Sequence, residues 1–147
     1  MNDYNKYWCH KILNELLKMP VSKPFRAPVD PVHDDAPDYL KKIKHPMDFS
    51  KIKQNLVLNS YKTPQEFISD VHLISKNTRT YNGKDSYFAA CGDIIDEYVD
   101  EQFKDKSNSY DEEWNKNLER AISELREHIE SAPKYKQLLK FSATINQ

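Results

Sequence analysis

Apolar residues recur along this chain mostly at spacings of three and four. Trp8, Ile12, Leu16 and Met19 follow at intervals of four, four and three, with Leu13 and Leu17 widening the stripe. That period predicts an amphipathic helix over about residues 4–19, ended by Pro20. Asp48 is placed to cap a second helix, which Phe49, Ile52 and Leu56 carry to about Leu58, where Asn59-Ser60 closes it. Thr63-Pro64-Gln65-Glu66 joins a capping-box Thr and Glu to a proline at the first helical position. Phe67, Val71, Ile74, Thr78 and Tyr81 then mark one face of a long helix that stops at the turn signal Asn82-Gly83. Asp85 or Ser86 caps the next helix, with Tyr87, Cys91, Ile94, Ile95, Tyr98 and Phe103 as its expected inner face. Gly92 inside it suggests close helix packing. The predicted class is all-α.

Between the first two helices the periodicity fails. The stretch from Pro20 to Met47 holds six of the eight prolines and no glycine. Each proline fixes φ, removes an amide donor and disfavours helix in the residue before it, so no continuous α-helix crosses the stretch. Phe25, Val29, Val32, Tyr39, Leu40 and Ile43 argue against disorder. The expectation is an ordered, proline-stiffened loop forming one wall of a binding site. It contains a short helical turn at about 37–43, with Pro37 at its first position.

After residue 106 the texture changes. Ser109-x-x-Glu112 is another capping box, and Trp114, Leu118, Ile122, Leu125 and Ile129 form a narrow stripe in a highly charged helix ended by Pro133. The stripe covers about two and a half heptads, fewer than a coiled coil usually shows, so packing on the bundle is preferred to self-pairing. A short segment carrying Tyr135, Leu138, Leu139 and Phe141 follows. The expected domains are 4–106 and a helical extension over 107–147.

Composition changes this picture little. With 147 residues and a net charge of −1, the chain has room for one core and lacks the basic surplus expected of a direct nucleic-acid binder. Cys9 and Cys91 have no metal spacing and read as buried thiols in a reducing compartment. There is no apolar run near 18 residues and no signal-peptide pattern, so neither membrane insertion nor secretion is expected.

Chemistry is sparse. No Ser or Cys nucleophile motif or paired carboxylates appear, and two glycines leave no phosphate-cradling loop. Tyr81-Asn82-Gly83 reads most simply as a helix terminus, since Asn and Gly tolerate positive φ. Yet the Asn82 amide also offers a donor and an acceptor to a ligand carbonyl. Tyr39 is either a core plug or a phenol that holds a ligand oxygen or a water. His33-Asp34-Asp35 could ligate a metal, superficially resembling the dyad of helical phosphohydrolases with His10, His72 or Asp70 as further ligands. It reads more simply as part of an acidic rim, and no metal or other cofactor is expected.

Several motifs in register carry a more specific signal. Pro24-Phe25, Pro28-Val29-Asp30-Pro31-Val32, Pro37-Asp38-Tyr39, Ile43-Lys44-His45-Pro46-Met47-Asp48-Phe49 and Tyr81-Asn82 together resemble a bromodomain over roughly residues 7–106. The loop motifs are most similar to those of BET-type members. The resemblance implies a left-handed four-helix bundle that reads acetyl-lysine between two loops at one end, without catalysis. It implies that Asn82 donates to the acetyl carbonyl and that Tyr39 reaches it through a water. Phe25 and Val29, with Pro24 and Ala36, would pack around the acetyl group, Tyr81 would flank it, and Phe88 would narrow the mouth as gatekeeper.

Lys23 stands where BET-type members carry a tryptophan shelf, and Asp34 and Ala36 replace usually apolar residues, which implies a more open and more acidic wall. A bromodomain fold kept as a protein-interaction scaffold is therefore the alternative. The expected partners are acetylated histone tails, in a nuclear protein that is monomeric or self-associates through its C-terminal helix.

Overall fold

A computed structural model describes residues 1–137 of the chain. The order is α1 (Asp3–Lys18), a 3-10 helix (Pro20–Phe25), α2 (Tyr39–Lys42), α3 (Phe49–Val57), α4 (Pro64–Asn82), α5 (Tyr87–Lys104) and α6 (Tyr110–Ser131). A further helical segment starts at Pro133. No strand occurs among the described residues. Leu138, Leu139 and Phe141 lie outside them.

The helix starts follow local chemistry. Asn2, Asp48, Thr63, Ser86 and Ser109 each accept a backbone N–H from the first turn of α1, α3, α4, α5 and α6. At α4 and α6 the box is displaced by one residue. Glu66 accepts the N–H of Lys62, and Glu112 that of Asn108, rather than the N–H of the capping residue itself. Of the two cap candidates for α5, Ser86 is the one used.

The prolines did not prevent every helix. Pro20 and Pro24 sit within the 3-10 turn, whose φ range matches the proline ring. Pro37 is not the first residue of α2, which begins at Tyr39 after Asp38, with the Tyr39 N–H donating to the Ala36 carbonyl.

The chain forms two compact units, Met1–Lys106 and the residues from Ser107 onward. In the first, Trp8, Ile12, Leu13, Leu16, Phe49, Ile52, Phe67, Val71, Ile74, Ile95 and Val99 form one core. A fully buried side chain such as Phe67 contributes roughly 1.5–3 kcal/mol over leaving it in water. Trp8 and Tyr61 meet the Phe67 ring edge-on, at 6.3 and 6.1 Å. Near the start of α4, Tyr61 Oη donates to Asp70 Oδ2 (2.7 Å) and Asn55 Nδ2 donates to Tyr61 Oη (3.3 Å).

Helices α4 and α5 make the most extensive helix pair. Gly92 lets them close up: a Cβ built on it would stand 3.1 Å from Ser75 Cβ. Ser75 Oγ lies 3.0 Å from the Gly92 carbonyl and 2.7 Å from Asp96 Oδ1, while Arg79 bridges Asp93 and Asp96. The inner line of α5 is therefore Ala89, Cys91, Gly92, Ile95 and Val99. Tyr87 and Ile94, expected inside, are exposed. In the second unit, the α6 stripe of Trp114, Leu118, Ile122, Leu125 and Ile129 has no buried member.

Candidate functional site

One wall of the site is the segment between α1 and α3. Its root is tied to α1: Ser22 Oγ donates to the Met19 carbonyl at 2.8 Å, and Arg26 Nη2 to that of Leu17 at 2.6 Å. Phe25 is thereby buried against the core. Residues 30–36 then fold into a self-contained turn. The N–H groups of Val32 and His33 donate to Asp30 Oδ1, and the Asp30 N–H donates to Asp34 Oδ2. These amides hold the Asp30 carboxyl below its usual range. His33 pairs with Asp34 at 3.1 Å, which raises the imidazole and lowers the carboxyl. Asp35 takes the left-handed conformation (φ 53°) that Asp tolerates better than most residues.

After this turn a second, smaller core forms from Ala36, Tyr39 and Ile43, with Val29 and Tyr81 against it. Tyr39 and Tyr81 meet edge to face at 5.0 Å. The Tyr39 phenol is pushed up, first by burial and then by the Asp48 charge, so it stays a neutral donor at physiological pH. Two side-chain bridges hold this wall to α4. Asn77 Nδ2 donates to the His45 carbonyl at 2.8 Å, and Tyr81 Oη donates to Asp38 Oδ1 at 2.7 Å. Lys42 Nζ pairs with the other Asp38 oxygen at 2.8 Å and lies 5.3 Å from the Tyr81 ring centroid.

The facing wall is the α4–α5 turn. Asn82 is the last residue of α4, and Gly83 (φ 87°) supplies the positive φ that ends the helix. Asn82 Nδ2 donates to the Thr78 carbonyl at 3.3 Å. An amide nitrogen carries two hydrogens, so one donor remains, on a side chain open to solvent. Phe88 stands in the first turn of α5, partly exposed and edge-on to Tyr87.

Between the walls lies a cavity of about 460 Å³. Its lining includes all eight residues expected from the sequence: Pro24, Phe25, Val29, Ala36, Tyr39, Tyr81, Asn82 and Phe88. It also includes Asp48, Ile74 and Thr78, which were expected only as helix-start or core positions, and Ala27 and Met47, which belong to the stretch expected to form a wall but were not named as site residues. Hydrophobic period marks such residues as buried but not as facing a void. His33, Asp34 and Asp35 line the cavity as well. His72 Nε2 lies 3.0 Å from Asp100 Oδ1 without hydrogen-bond geometry, and no group of three potential metal ligands occurs among the described residues.

A cavity that combines the apolar side chains of Phe25, Val29, Ala36, Met47 and Ile74 with the Asn82 amide and the phenols of Tyr39 and Tyr81 can take a small neutral group bearing a carbonyl. Residues 9–94, more than half of the chain, match the sequence model of the bromodomain. The chain belongs to the bromodomain family, whose members in general are acetyl-lysine readers associated with chromatin.

Similar proteins include the SWR1 complex bromodomain subunit bdf1 of Schizosaccharomyces pombe, 37% identical over 97 residues (66% of this chain, 17% of that protein). Transcription factor GTE10 of Arabidopsis thaliana is 38% identical over 96 residues (65% and 9%). Tyrosine-protein kinase BAZ1B of Homo sapiens is 37% identical over 83 residues (56% and 6%). The chain thus spans less than a fifth of each relative. No helix among the described residues is long and apolar enough to cross a membrane.

Proposed function

We propose that this bromodomain is a non-catalytic reader that takes acetylated lysine of histone tails into the cavity between the proline-rich wall and the Asn82 turn. The observation that carries the reading is the joint lining of one cavity by Asn82, Tyr39, Phe25 and Val29, which come from separate stretches of sequence. In this reading Asn82 donates to the acetyl carbonyl, and Tyr39 supports the same oxygen through a water. Phe25, Val29 and Ala36 surround the methyl, Pro24 and Tyr81 flank the lysine stem, and Phe88 narrows the mouth. The functional domain is 4–106, with 107–147 an extension to it. The protein acts in the nucleus as a monomer, without a cofactor, and α6 is the surface for any self-association.

Magnitudes agree with a modest reader. Burying about five ligand carbons at ~0.8 kcal/mol each, with ~1 kcal/mol for the hydrogen bond, gives roughly 5 kcal/mol before ordering costs. That corresponds to sub-millimolar affinity at best for a single mark, so useful binding needs flanking contacts or several modules. Unmodified lysine is disfavoured because an ammonium loses its hydration in the cavity, which costs several kcal/mol.

The test is calorimetric titration of acetylated and unacetylated histone peptides against wild type and Asn82→Ala. Only the acetylated peptides should bind, and Asn82→Ala should bind them more weakly by ~1–3 kcal/mol, the scale of one hydrogen bond in a desolvated site. Equal binding by both proteins would refute the assignment.

A further inference from the structure

The small core that builds the Tyr39 side of the cavity is separate from the main core. Its members come from residues 29–43 and from Tyr81 alone on α4. A ring packed edge to face resists sliding only weakly, so the position of Tyr39 against Asn82 needs a directional contact. Tyr81 stands next to Asn82 in the chain, and its hydroxyl donates to Asp38, the residue before Tyr39. Lys42, one turn further along α2, engages the same carboxylate and stands near the Tyr81 ring. Residues adjacent to the two polar ligand-facing groups are thus joined by a charge-assisted hydrogen bond spanning 43 positions of sequence. The other bridge to α4, Asn77 to the His45 carbonyl, lies beyond α2 rather than beside Tyr39.

We propose that Asp38 is a positioning residue for acetyl-lysine binding: by accepting the Tyr81 hydroxyl it holds Tyr39 at a fixed reach from Asn82. This rests on the acetyl-lysine reading above. Asp38 is not among the residues that line the cavity. Its role is to prevent α2 from drifting from the end of α4, so that less ordering is left to do when a ligand arrives. Lys42 keeps the carboxylate oriented toward Tyr81.

The experiment compares wild type, Asp38→Ala, Asp38→Asn, Tyr81→Phe, the double variant Asp38→Ala/Tyr81→Phe, and two controls, Asn82→Ala and Val99→Ala. Binding of one acetylated peptide is read by calorimetry, and amide hydrogen exchange over residues 36–43 is read in the free proteins. Asp38→Ala and Tyr81→Phe should each weaken binding about fivefold, and the double variant should be no weaker than either. Asp38→Asn, which still accepts from Tyr81, should stay within about twofold of wild type. Exchange over 36–43 should quicken in Asp38→Ala but not in Val99→Ala, which loses stability in the main core and keeps its affinity.

Wild-type affinity and exchange in Asp38→Ala would overturn the proposal, as would equal losses in Asp38→Ala and Asp38→Asn. Asn82→Ala separates the two levels of the account. If it abolishes binding while Asp38→Ala is silent, the positioning role alone fails. If it binds like wild type, the acetyl-lysine reading fails, and the exchange comparison still decides whether Asp38 fixes the wall.

Discussion

Replacing Gly92 by alanine tests the spacing of α4 and α5, and through it the distance between the Asn82 turn and Phe88. In an ordinary helix interior the change would help by roughly 0.5–1 kcal/mol, because alanine loses less backbone freedom on folding. Here the added Cβ would meet Ser75 Cβ and Oγ at 3.1 Å and Ser75 Cα at 3.2 Å. The last of these is a backbone atom of a fully buried residue, so it cannot turn aside as the tip of a flexible side chain would. Forcing a methyl into such packing typically costs about 1–3 kcal/mol, and spreading the helices also strains the Ser75–Gly92 hydrogen bond. The clash should outweigh the propensity gain, leaving Gly92→Ala destabilised by about 1–2 kcal/mol, or several degrees of Tm for a unit of this size. Urea unfolding followed by circular dichroism measures it. A variant as stable as wild type, or more so, would refute the close approach inferred here.

Further expectations concern charge and the second unit. The His33 imidazole is raised by Asp34, so their pairing is fully present below pH about 6.5 and fades as pH rises through the higher folded value. Proton NMR should give a His33 midpoint above 6.5 that falls on Asp34→Asn, and a midpoint unmoved by that change would contradict the pairing. Trp114→Ala should leave acetyl-peptide affinity within about twofold by calorimetry, because the lining residues described all belong to the first unit. A larger loss would place the extension in the binding function.

The helix starts were legible because they rest on single polar side chains at fixed offsets, as at Asp48, Thr63 and Ser109. The face of α5 was misread because Ala89 and Gly92, which carry little hydrophobic signal, let that side approach α4, so Tyr87 and Ile94 turn outward. The 3-10 turn through Pro24 was missed because proline forbids an α-helical interior but suits a tighter turn. Of the eight expected cavity residues, Pro24, Phe25, Val29, Tyr39, Tyr81 and Asn82 were readable from motifs local in sequence, and Ala36 and Phe88 from their offsets to those motifs. Thr78 and Ile74 were not, since a buried stripe looks the same whether it faces a neighbour or a void. The bridge from Asp38 to Tyr81 was invisible for another reason: nothing in the sequence reports which partner a distant carboxylate takes.

In the function proposed for this chain, acetyl-lysine enters between Tyr39 and Asn82. The most direct test is an isotope-labelled NMR titration with matched histone-tail peptides, acetylated and unacetylated. Shifts are expected at Asn82, Tyr39 and residues 24–36 with the acetylated peptides only. Absence of shifts across a broad acetylated panel, or equal shifts with the unacetylated peptides, would contradict that function.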